Sequence, residues 1–271
     1  MVKLYRPSKL KPAETSKEEA NQHFLALEKY SEVRTKEISG MFGPYIEVTD
    51  NYGKLISRLV LLLGKHHPKD SQDIVIRDLM SDVFDSLYES RKLILSGKLH
   101  VAYPLARRAY ESLSLLHLCA LKKAWAEKWR KGTKISNSTI RKELAAHPKG
   151  EPEDRLKKLY DFFCAATHPN RELIPRRFLG EGNEFVLGVI GKPNLTLITD
   201  YCMKNLEMWF WMTAIVSDVY RETIYKFDKE YFETYLQTKK SADEIFVSLI
   251  ENFNRLVDEA KEYWKEHPVV D

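Results

Sequence analysis

The sequence predicts an all-α protein: a multi-helix bundle with one irregular segment at about 170–193. Three observations carry that expectation. Apolar residues recur at spacings of three and four through most of the chain. Glycine and proline number only 11 each in 271 residues, too few for a turn-rich sandwich or barrel. Those that occur gather between the periodic runs, where they read as breaks.

Ser16-Lys-Glu-Glu19 has the form of a capping box. It predicts a first helix to about Ser39, with Ala20, Phe24, Leu27 and Tyr30 on one side and Gly40 and Gly43-Pro44 ending it. A second helix is expected from near Asp50, carrying Tyr52, Leu55, Ile56, Leu59 and Leu63, and closed by Gly64 and Pro68. A third spans about Ser71 to Ser96, with Gly97 as its C-terminal cap. The fourth, about Lys98 to Lys131, has the clearest pattern. Ala102, Ala106, Ala109, Leu113, Leu116, Ala120 and Ala124 form a stripe of mostly small residues that lets neighbouring helices approach closely. Pro104 should kink this helix or mark its start.

Shorter helices are expected at about Ser138–Ala146 and Glu153–Thr167. Phe185–Ile190, inside the irregular segment, reads as a short strand or hairpin. Asn194 caps a long aromatic helix to about Tyr225, and Ser241-Ala-Asp-Glu244 opens a last one bearing Ile245, Leu249, Phe253, Leu256, Ala260 and Trp264. The pattern suggests an N-terminal helical hairpin over 1–70, a central bundle over 71–226 and a C-terminal helical extension over 227–271.

The net charge of +4 is too small to make the whole chain a nucleic-acid binder. Cys119, Cys164 and Cys202 are odd in number and widely spaced, as expected of reduced thiols in a cytoplasmic protein. Residues 1–19 hold no apolar signal core. The longest apolar runs, Leu59–Leu63 and Met208–Val216, fall far short of the ~20 residues of a membrane span. No HExxH or CxxC string, Walker loop, dinucleotide fingerprint or serine elbow is present, so no metal or cofactor is expected.

Two polar pairs stand in otherwise apolar, Ala-rich segments. Arg107 and Glu111 lie four apart in Leu105–Leu113, and Cys164 and His168 lie four apart in Tyr160–His168. Each pair projects from one helical face. Arg107–Glu111 reads either as an ordinary surface ion pair or as part of a site. His168 reads as a helix-end cation or as a functional imidazole, and beside Cys164 it permits a thiol–imidazole interaction.

Leu105–Leu113 resembles the Leu-x-Arg-x-x-x-Glu helix of a bacterial domain-of-unknown-function family of helical proteins. Tyr160–His168 resembles that family's later Tyr-x-x-x-Ser-x-x-x-His motif. Arg107, Glu111 and His168 match, and Cys164 stands where the family has Ser. The resemblance covers about residues 75–225 and implies a helical architecture with Arg107, Glu111 and His168 as the candidate catalytic or binding set. The family is similar in outline to HEPN-type bundles, many of them metal-independent ribonucleases of toxin and defence systems that act as dimers. Their Arg-x4–6-His string is matched by Arg141–His147, with Lys142 after the arginine.

Charge is also segregated. Residues 122–158 hold twelve Lys or Arg against five Asp or Glu, a balance of +7 that leaves −3 for the rest of the chain. Trp125 and Trp129 lie among Lys122, Lys123, Lys128, Arg130 and Lys131. Such a face suits phosphate contact and base stacking on RNA or another polyanion. It equally suits a solvated helix end with both indoles turned inward. Arg171, Arg176 and Arg177 could extend it. The leading expectation is a polar site in the central bundle for a small anionic or polar ligand. The alternatives are a HEPN-like ribonuclease or RNA-binding protein, a homodimer in that case, and a non-enzymatic interaction module built on the aromatic helix.

Overall fold

The computed structural model describes residues 17–167 and 194–266, and every regular element in them is an α-helix. There are ten: α1 (Lys17–Met41), α2 (Gly43–Gly64), α3 (Ser71–Leu95), α4 (Leu99–Leu121), α5 (Lys123–Arg130), α6 (Asn137–Ala145), α7 (Glu153–Thr167), α8 (Leu195–Val219), α9 (Arg221–Phe227) and α10 (Tyr231–Glu266). The expected all-α class is therefore found. Ser16, the segment 170–193 with its expected hairpin, and His168 lie outside the described residues.

The core is organised around α8. Its aromatic side chains Tyr201 and Trp209 are almost fully enclosed. α2 runs parallel to it, since Tyr45 at one end of α2 meets Asn205 and Gly53 further along faces Trp209. α3 runs antiparallel: Ser90, Phe84 and Asp73 meet Tyr201, Trp209 and Tyr220 in turn. α4 is parallel to α8, with Tyr103 at Leu197 and His117 at Trp211. α10 returns along the groove between α8 and α2, bonding Ser217 through Tyr231 and meeting Thr199 through Asn252. Ala102, Ala106, Ala109, Leu113 and Leu116 of α4 are wholly buried. The small side chains let α3, α7 and α8 close on the same helix.

The expected three-part division is not a division of the core. α2 supplies Tyr45, Val48, Tyr52, Leu55, Ile56, Leu59 and Leu63 to the same buried cluster as α4 and α8, and α10 adds Leu249. Within the described residues, α2 and α10 bury their apolar faces on α8.

Several element boundaries also differ from expectation. α2 begins at Gly43, not near Asp50, with Pro44 in its first turn, where a proline's missing N–H would have had no helical partner. Pro104 lies inside α4 rather than at its start. The expected 98–131 helix divides at Lys122, whose backbone is extended. Its side chain bonds the Glu143 carbonyl and carboxylate, fastening this joint to α6. Ser241–Glu244 is interior to α10, which starts ten residues earlier at Tyr231, a buried ring. Tyr30, expected on the core side of α1, is exposed.

A buried polar chain crosses the bundle. Tyr45 OH donates to Asn205 Oδ1 at 2.7 Å, Asn205 Nδ2 to Tyr201 OH at 3.1 Å, and Tyr201 OH to Ser90 Oγ at 2.6 Å. Arg91 reaches Thr49 and Asp50 beside it. At the far end, Asp73 takes hydrogen bonds from Arg77 and Tyr220. Burial opposes its charge, but these donors outweigh it and hold the carboxyl below its ordinary range.

Candidate functional site

The site begins at the end of α5. Gly132 adopts φ 77°, and the N–H groups of Gly132 and Thr133 return to the carbonyls of Trp129 and Lys128. This paired closure is the Schellman motif, which glycine favours because it has no Cβ. The chain then crosses to Ser136, whose Oγ accepts the Thr139 N–H at 3.1 Å and caps α6. α6 buries Ile140 and Leu144. Arg141, next in sequence to Ile140, is thereby laid against α7.

There it meets Tyr160. The Arg141 guanidinium lies 4.8 Å from the ring centroid, and Arg107 of α4 lies 5.4 Å from the same centroid. Arg107 Nη2 donates to Tyr160 OH at 3.3 Å, and its Nε donates to Glu111 Oε1 at 2.9 Å. Burial disfavours the Arg107 charge, but the bond to Glu111 outweighs it and raises the guanidinium pKa further. Cys164, one turn beyond Tyr160, lies close enough to Arg107 to interact electrostatically. The segments 105–113 and 160–167 thus do face one another. The Arg107–Glu111 pair forms, while His168 lies outside the described residues.

The two arginines differ in one respect. Arg107 has a carboxylate partner. The Arg141 guanidinium makes no hydrogen bond among the described residues, and its Nε and Nη1 are closed to solvent. A ring face offsets part of that cost, but a shielded charged donor without an acceptor remains expensive. Arg141, Tyr160, Glu111, Lys134, Ser136 and Ser138 together border one cleft of about 580 Å³. Lys134 is exposed and has no ion pair among the described residues. Both cations come from the basic stretch, and Glu111 and Tyr160 from the two polar segments. Features read separately in the sequence meet at one place.

The rest of the basic stretch is largely engaged. Lys122 pairs with Glu143, and Lys123 pairs with Asp70, each at 2.7 Å. Lys128 sits 3.9 Å over the Trp125 ring. Trp125 and Trp129 are half-buried and packed on the core, so both indoles are turned inward. Arg130 and Lys131 are exposed. Arg141 and His147 line different clefts; His147 borders one with Asp70, Asp73 and Tyr220, and its Nδ1 accepts the Lys149 N–H. Arg171, Arg176 and Arg177 lie outside the described residues. Among the described residues no group of three metal-ligating side chains occurs.

Sequence reasoning passed over Tyr160, which stood only as the first letter of a motif. Lys134 stood only within a charge count, and Arg141 only within the Arg-x5-His string. A usable signal was present. Ser136-Asn-Ser-Thr139 is a cap followed at once by Ile140-Arg141, which fixes Arg141 beside a buried position. Comparison of the chain with protein-family models, curated proteins and solved structures gave no match.

Proposed function

We propose that this protein binds a small anionic ligand in the cleft bordered by Arg141, Tyr160, Glu111 and Lys134. The observation that carries the reading is Arg141: a partly shielded guanidinium without a counter-charge among the described residues, facing a ring shared with a second arginine. An anion in the cleft would supply the missing acceptor, and the planar fork suits a two-oxygen group. Glu111 and Tyr160 hold Arg107 in place, so in this reading Arg107 positions the ring and adds field.

Titration calorimetry of the full chain with phosphate, sulfate and acetate tests it. Arg141→Met should weaken anion binding roughly ten- to hundredfold. Because it removes an unpaired charge, it should leave the ligand-free chain as stable or more so, a combination typical of a residue kept for function. Unchanged affinity in that variant would remove the reading.

The ribonuclease alternative finds less support, because Arg141 and His147 border separate clefts. Chelator-resistant cleavage of RNA that is lost in His147→Ala would restore it. The cytoplasm is the compartment that best suits three unpaired thiols. No helix among the described residues is long and apolar enough to cross a membrane.

A further inference from the structure

We infer that the anion is the phosphoryl group of a hydroxyl-rich body, a sugar phosphate. The inference rests on the anion reading and adds the identity of both ends of the ligand. Among the described residues the cleft presents two cations without an ion pair: Arg141 and the exposed Lys134. A monocarboxylate would answer one of them. A phosphate monoester carries about −1.5 to −2 at neutral pH and answers both.

Glu111 fixes the other end. One carboxylate oxygen takes the Arg107 Nε–H, and no described residue donates to the other. The side chain borders the cleft. A carboxylate oxygen there repels the phosphoryl group and accepts from a donor, so the phosphoryl belongs with Lys134 and Arg141 and a donor group beside Glu111. Arg107 already offsets the Glu111 charge. A neutral hydroxyl is therefore sufficient. An ammonium would lower the ligand's net charge and leave one of the two cations unanswered. The Ser136 hydroxyl is occupied by the Thr139 N–H and by the Ser138 and Thr139 hydroxyls, which leaves the Ser138 hydroxyl to donate to or accept from a polyol.

The test is calorimetric titration of the intact chain with inorganic phosphate, ribose 5-phosphate, glucose 6-phosphate, free ribose and phosphoethanolamine. At least one sugar phosphate should bind roughly tenfold tighter than phosphate, about the contribution of one hydrogen bond to a charged group. Free ribose should not bind detectably, and phosphoethanolamine should gain nothing over phosphate. Glu111→Gln should narrow the ratio between sugar phosphate and phosphate. Equal affinities for phosphate and both sugar phosphates would overturn the inference and leave the anion site standing. Tightest binding of phosphoethanolamine would also overturn it, in favour of a zwitterion. Failure of every anion would remove both readings. The ligand ratios are measured on the unaltered chain, so they do not depend on whether a variant folds.

Discussion

His117 is the residue whose charge state the fold controls most plainly. It is 8% exposed, and its Nδ1 accepts the Trp211 indole N–H at 3.2 Å. That bond requires an unprotonated Nδ1. Burial lowers the imidazole pKa to about 4, from an ordinary 6.5. The unfolded chain therefore takes up a proton below pH 6.5, while the folded chain resists until about pH 4. Stability from this group is complete above pH 6.5 and is lost as pH falls through that window, by roughly 3 kcal/mol in all. Denaturant unfolding at a series of pH values, compared with His117→Asn, should show the variant lacking that part of the slope. Parallel curves for the two proteins would mean that the imidazole takes up its proton equally in the folded and unfolded chain. Residue-level roles were only partly legible in sequence. His117 sits in the apolar run Leu115–Leu118, and only the arrival of Trp211 from a distant helix turns it into a buried acceptor. Arg107 and Glu111 were legible because helical spacing alone brings them together. Arg141 was not, because its partner ring lies on another helix and its significance is a missing contact.

At the scale of elements, two glycines separate conformation from space. Gly132 has φ 77° with nothing near a would-be Cβ. Gly150 is not in the left-handed region, but a Cβ there would meet the Leu144 carbonyl oxygen at 1.8 Å. Gly132→Ala should cost about 1 kcal/mol through backbone strain alone. Gly150→Ala should cost roughly 3 kcal/mol or more, since the loop must leave the end of α6. Thermal unfolding of the two variants checks the order; equal losses would contradict it. The same elements show which boundaries a sequence reveals. Gly97 and Gly132 were both readable as stops, because each lies just past a periodic run and closes a Schellman motif. The start of α2 was missed because Gly43-Pro44 serves as well at a helix entrance as after an exit. The capping-box string at Ser241 has no structural role, since it falls within a helix whose start is fixed by the burial of Tyr231.

For the whole molecule, one buried cluster runs from Ile38 to Leu249. Among the described residues, α2 and α10 share that cluster and leave no second core to unfold on its own. Far-ultraviolet circular dichroism follows every helix, and tryptophan fluorescence of a Trp264→Phe variant, which removes the α10 indole, follows the α5 and α8 indoles. The two should report coincident denaturant transitions. A helical transition at lower denaturant, ahead of the fluorescence change, would revive the three-part division. Periodicity shows that a helix has an apolar face but not which helix covers it. Fold class was legible because period and composition are local. The arrangement around α8 was not.

The Tyr45–Asn205–Tyr201–Ser90 chain gives that arrangement a unique register. Leucine and alanine surfaces look much alike one turn up or down, so an apolar bundle can slide with little change in contact. Three hydrogen bonds at fixed heights cannot. A slip of α8 by one turn, about 5.4 Å, would leave the Asn205 amide facing hydrocarbon and two tyrosine hydroxyls without partners. The polar chain thus acts as a key cut into the core, excluding near-native packings that apolar contacts alone would tolerate. It also fixes the height of α2 and α3 against α8, the helix on which α4 is seated, and α4 carries the Arg107–Glu111 edge of the cleft.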